Sequence, residues 1–139
     1  QCSVPTPPST FIRDFEGVCP SGTRVEWQLF KWKALVTGAS NITYRAATAD
    51  DPSTFSTNPN AVGTVPVGVA DSTNSSNPAN WVYPIDASCG ATCPYPVSRR
   101  LAQAVPKQTS KQWLRVYMTF NGLPTLFEWQ QLYDCIPAE

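Results

Sequence analysis

Trp113-Leu114-Arg115-Val116-Tyr117-Met118-Thr119-Phe120-Asn121-Gly122 and, just beyond it, Leu126-Phe127-Glu128-Trp129-Gln130-Gln131-Leu132-Tyr133-Asp134-Cys135 decide the fold class. In the first run Trp113, Arg115, Tyr117 and Thr119 alternate with Leu114, Val116, Met118 and Phe120, the period-two pattern of a strand. In the second, Phe127, Trp129, Gln131, Tyr133 and Cys135 share one parity. Asn121-Gly122 between them is a strong hairpin signal, because both residue types tolerate positive φ. The expectation is therefore a β-hairpin over 113–135.

Working outward, Arg24 to Lys33 is the next clear strand, with Val25, Trp27 and Leu29 alternating with Arg24, Glu26 and Gln28. Phe30 and Trp32 fall on the opposite parity. A bulge near Phe30 would return both aromatics to the core; without one, a face of the sheet would carry exposed rings. After the turn Thr37-Gly38-Ala39-Ser40, Asn41 to Thr48 reads as another strand. No segment of helical periodicity with proper caps reaches ten residues, so the chain is expected to be an all-β sandwich.

Between Ala49 and Ser110 the pattern dissolves into an irregular stretch with eight prolines. Only Val62–Val69 and Trp81–Ile85 have strand-like content, and Pro66 confines the first to an edge. A stretch this long without regular structure hides short strands or forms a functional excursion. At the other end, residues 1–22 are rich in Pro and Ser and read as an arm or edge segment, anchored by Phe11, Ile12 and Phe15. The expected organisation is an arm over 1–22 and a single sandwich domain over 23–139.

Composition narrows the function. The 139 residues carry ten acidic and ten basic side chains and no histidine. A duplex nucleic acid or anionic membrane partner would call for a basic stripe, and the longest basic cluster is Arg99-Arg100. No run reaches the roughly 20 apolar residues of a spanning helix, so direct membrane insertion is not expected. The opening Gln1-Cys2-Ser3 reads as a mature terminus or a segment cut from a precursor. Without histidine an ordinary serine triad is excluded, and no glycine-rich phosphate loop follows a strand. Paired carboxylates such as Glu26 and Glu128 would be the only hydrolytic machinery. The reading is non-catalytic.

Five cysteines, Cys2, Cys19, Cys89, Cys93 and Cys135, lack the paired two-residue spacing of a zinc site. Structural disulfides in an oxidising, extracellular compartment are the expectation. The odd count leaves one thiol free or bonded to another chain.

Two groups of residues resemble a family of extracellular bacterial surface modules. One is Trp27-Gln28-Leu29-Phe30-Lys31-Trp32 with Ile42-Thr43-Tyr44-Arg45-Ala46-Ala47-Thr48-Ala49-Asp50. The other is Trp113–Thr119 with Pro124–Trp129 and Tyr133-Asp134-Cys135. These are similar to jelly-roll sandwiches of the discoidin or galactose-binding type found in large surface proteins of soil and predatory bacteria such as the myxobacteria. The resemblance spans about half the chain and omits residues 50–110. It implies a sandwich at the cell surface and says little about function. In a jelly roll the first and last strands are often neighbours, which makes a Cys19–Cys135 bridge plausible. Cys89–Cys93 would then shape a small loop and leave Cys2 for an intermolecular bond or a free thiol. Pairing of Cys2 with Cys19 would instead leave Cys135 over.

Two ligand readings accompany this. Trp81, Tyr83 and Tyr95, with Asn80, Asp86, Arg99 and Arg100 nearby as hydrogen-bonding partners, suit stacking of sugar rings, or they plug the sandwich beneath a long loop. Asp50 and Asp51 are weak candidates for a structural calcium ion, which needs six to eight oxygen ligands. No other cofactor is expected. The overall expectation is a surface assembly module, a filament, pilus or adhesin subunit that self-associates or joins a larger surface protein. A carbohydrate-binding module is the alternative.

Overall fold

The structure is a computed structural model that describes residues 9–74, 77–90 and 93–138. Among these residues lie six strands, β1 (Ser9–Glu16), β2 (Thr23–Leu35), β3 (Asn41–Ala49), β4 (Val65–Ala70), β5 (Trp113–Asn121) and β6 (Thr125–Pro137). They form two antiparallel sheets, one ordered β1-β5-β3-β4 and the other β2-β6. One short helix, α1 (Val97–Ala102), buries Val97 and Leu101 against the core. The protein is an all-β sandwich.

Alternation explains how the core is filled. Val25, Trp27, Phe30, Trp32 and Ala34 of β2 face Ile42, Tyr44 and Ala46 of β3, Val65 and Val67 of β4, and Leu114, Val116 and Met118 of β5. Each such side chain removed from water stabilises by about 1.5–3 kcal/mol before chain entropy is counted. Tyr44 holds the centre, its ring centroid 4.8 Å from Phe30 and 4.7 Å from Trp32. The parity slip in β2 is resolved by a bulge: the β2–β6 register shifts between Trp27 and Phe30. Trp27, Phe30 and Trp32 are consequently all buried. Trp27 Nε1 donates to the Lys111 carbonyl at 2.8 Å, so its buried polar atom is satisfied.

The expected 113–135 hairpin is corrected. β5 lies between β1 and β3, whereas β6 pairs with β2 along Thr23↔Pro137 to Leu35↔Thr125. Asn121-Gly122 therefore carries the chain from one sheet to the other, as does Thr37–Ser40 between β2 and β3. Gly122 adopts φ 78°, and a Cβ there would collide with Ser40 Oγ. Ser40 Oγ also accepts from the Leu123 amide at 3.3 Å. The two crossings thus pack side by side, and positive φ serves an inter-sheet crossing as readily as a hairpin.

Residues 9–16, read from sequence within the N-terminal arm, form an edge strand of the larger sheet. Arg115 clamps it: Nε donates to Asp14 Oδ1 at 2.7 Å and Nη2 to Asp14 Oδ2 at 2.9 Å. The register Phe11↔Met118, Phe15↔Leu114 and Ile12↔Tyr117 turns Phe11 and Phe15 to the sandwich side and Ile12 to the other. At the opposite edge β4 contains Pro66, where a missing N–H costs no ladder bond.

Among the described residues two disulfides form. Cys19–Cys135 joins the lead-in to β2 with the end of β6, Cα atoms 5.5 Å apart across a separation of 116 residues. Closing so long a loop stabilises by about 4–5 kcal/mol in the chain-entropy model. Cys89–Cys93 spans 4 residues and contributes about 2 kcal/mol by the same reasoning. The pairing points to an oxidising environment. Among the described residues no helix is long and apolar enough to cross a membrane.

Candidate functional site

Each flank of the sandwich carries a candidate surface. On the first, β1 at the edge of one sheet lies beside β6 at the edge of the other. Among the described residues no strand pairs with the outer edge of either. Phe11 meets Trp129 edge-on at 6.0 Å between ring centroids. The Arg13 guanidinium lies 5.4 Å from the Trp129 ring and 6.0 Å from that of Phe11, a cation–π arrangement that caps the flank. Beside them Ser9, Thr10, Phe11, Phe120, Leu126 and Trp129 line a shallow apolar groove of about 410 Å³. β6 is unusually exposed for a strand this long: Phe127, Leu132 and Tyr133 are 50%, 36% and 36% exposed. Phe127 falls at a second register shift, between Lys33 and Ala34 of the partner strand.

On the opposite flank, Trp32 and Val82 exchange backbone hydrogen bonds of 2.9 and 2.8 Å, which attaches the 81–85 segment to β2. Val82 packs toward the core. Trp81 lies against β2 lysines, with Lys31 Nζ 5.2 Å and Lys33 Nζ 4.8 Å from its ring centroid. Between this segment and β4 runs a groove of about 530 Å³, whose walls include Val69, Trp81, Tyr83, Ile85 and Arg100. That size lies within the roughly 300–1,000 Å³ of small-molecule sites.

The candidate saccharide residues are thus divided. Trp81 and Tyr83 share the groove. Tyr95 does not line it; its ring instead supports Arg100, whose guanidinium carbon sits 3.8 Å from the ring centroid. The Tyr95 hydroxyl hydrogen-bonds Gln103. Arg99 turns to Asp86 at 2.7 Å. Asp86 is buried and organises the disulfide loop, accepting from the Ser88 hydroxyl at 2.6 Å and its amide at 3.1 Å. The Ser88 hydroxyl bond, aided by the Ser88 amide and Arg99, holds the Asp86 carboxyl below its ordinary value despite burial. Of the two arginines that the sequence offered together, Arg100 is the one in the groove. Its position beside Arg99 on a short helix could not be separated by pattern alone.

The remaining candidates are dispersed. Asp51 caps the 3-10 turn Pro52–Thr54, accepting from the Ser53 amide at 2.9 Å. Asp50 lies beside Lys111 in a separate surface depression. Among the described residues no cluster of three or more His, Cys, Asp or Glu side chains could hold a metal. Glu26 stands opposite Asp134, while Glu128 stands opposite Lys33 and pairs with it at 3.2 Å. These two glutamates therefore do not form the facing pair that hydrolysis would need. Cys2 lies outside the described residues.

No family model, no curated protein and no solved structure matches the chain.

Proposed function

We propose that the chain is a non-catalytic extracellular assembly module of a bacterial cell surface, a filament, pilus or adhesin subunit that associates along its β1/β6 flank. The carrying observation is that two strand edges that no strand among the described residues pairs with lie side by side there, joined by Phe11, Trp129 and Arg13. Open edges template the addition of another strand, and soluble proteins usually blunt them with lysine, proline or a covering element. β6 has neither lysine nor an internal proline, and its exposed side chains include Phe127 and Leu132. The two disulfides suit an extracellular setting. Cys2 is the candidate for an additional bond between protomers.

Molar mass by light scattering after size exclusion, with and without reductant, tests this. The wild-type chain is expected to oligomerise, and Phe127→Lys combined with Leu132→Lys to yield a monomer with an unchanged melting temperature. Loss of oligomers on reduction would assign the contact to Cys2. A wild-type monomer under both conditions overturns the assembly reading.

A second reading, saccharide binding, is favoured by the pairing of Trp81 and Tyr83 in one groove on the opposite flank.

A further inference from the structure

We propose that the groove between β4 and the 81–85 segment takes a carboxylated sugar, a uronate unit of an acidic polysaccharide. The inference deepens the saccharide reading and is independent of assembly through β1 and β6. Three observations converge on it.

The groove is cationic in an otherwise neutral chain. Among the described residues Arg100 is its one charged lining residue and no carboxylate lines it, and Lys31 and Lys33 flank Trp81 at its rim. Of the acids, Asp86 pairs with Arg99 at 2.7 Å and Glu128 with Lys33 at 3.2 Å, so Lys33 is already matched and the unmatched charge at the groove is that of Arg100 and Lys31. Among the described residues neither Arg100 nor Lys31 has an ion-pair partner.

Arg100 is held in place without being satisfied. Its guanidinium rests on the Tyr95 ring at 3.8 Å, which limits its motion. Its Nε is enclosed and has no hydrogen-bond acceptor within the fold. A guanidinium held by stacking and without an ion-pair partner among the described residues is suited to the two parallel hydrogen bonds that a carboxylate accepts.

The rest of the wall mixes apolar side chains with Asn74 and Tyr83. Val69, Trp81 and Ile85 are 42%, 37% and 38% exposed there, offering surface to the C–H face of a pyranose. An apolar wall with a few placed polar groups is the usual composition of a ligand site. The single arginine and the absence of a basic stripe disfavour a nucleic-acid phosphate backbone.

Isothermal titration of the full chain with tri-galacturonate and with neutral galactotriose tests the proposal. Tri-galacturonate is expected to bind at least about tenfold more tightly. Arg100→Gln should remove that preference, Arg100→Lys should restore part of it, and Trp81→Ala should weaken binding of both sugars. Equal binding of the two sugars would overturn the uronate assignment while keeping the saccharide reading. Binding of neither would overturn both, and uronate binding indifferent to Arg100→Gln would mark it as diffuse attraction and overturn the site. Should Arg100→Gln fail to fold, the wild-type preference and the Arg100→Lys titration decide. None of these outcomes bears on oligomeric state.

Discussion

The indole of Trp32 on one sheet abuts the backbone of Gly68 on the other, so closely that a Cβ at position 68 would lie 3.1 Å from Trp32 Cη2. Pro84 Cγ would be equally near, at 3.1 Å. This contact sets the spacing between the sheets at the β4 flank and shapes the floor of the groove. Trp32 has little room to retreat, since its other side packs against Tyr44 at 4.7 Å.

Gly68→Ala is therefore expected to destabilise. Overpacking costs about 1–3 kcal/mol, while replacing glycine in a strand returns about 0.5–1 kcal/mol. A net loss of about 1 kcal/mol should appear as a lower midpoint in urea titration. A raised midpoint would show that Trp32 and Pro84 can yield.

Tyr44 is buried among Phe30 and Trp32 with no acceptor or donor for its hydroxyl within the fold. An unpartnered buried hydroxyl costs about 1–3 kcal/mol, so Tyr44→Phe should stabilise at neutral pH by about 1 kcal/mol. Burial also raises the phenol's pKa far above its ordinary value. A raised folded pKa contributes stability that is present below the unfolded value, about 10, and is lost as pH rises beyond it. The wild-type chain should accordingly lose more stability than Tyr44→Phe in alkaline melts. Parallel pH profiles for the two would contradict this account of Tyr44.

Asp86 supplies the opposite sign. Its depressed pKa contributes stability that is present above the unfolded value, about 3.9, and is lost as pH falls through the folded one. Asp86→Asn should lower the melting temperature at neutral pH by removing the Arg99 pair. The gap to wild type should close toward pH 2, where the carboxyl is protonated in both states. A gap constant across that range would mean that Asp86 acts through its neutral hydrogen bonds alone.

Fold class was legible because burial in a sandwich is written as alternation. Phe30 and Trp32, out of phase with Trp27, pointed to either a bulge or exposed rings, between which the register shift decided, and Pro66 was enough to place β4 at an edge. The site was only half legible. Trp81 and Tyr83 stood out as aromatics among loop residues, but Arg99 and Arg100 are indistinguishable in a sequence that does not reveal where Asp86 and Tyr95 lie.

By itself, then, the sequence determined the all-β class, the strands β2, β3, β5 and β6 and the disulfide chemistry, all of which follow from local periodicity and residue type. β1 stayed hidden in an arm, and the bulge stayed one of two options. Partner choice belonged to the tertiary structure. Asn121-Gly122 supplies the same backbone freedom to a hairpin and to a crossing between sheets. β5 takes the inner position because Leu114, Val116, Tyr117 and Met118 are all buried there. β6, none of whose residues is fully buried, closes on β2, and among the described residues its outer edge stays open. Which strands meet is settled by the apolar area the whole chain can bury at once, and no short stretch of sequence contains that sum.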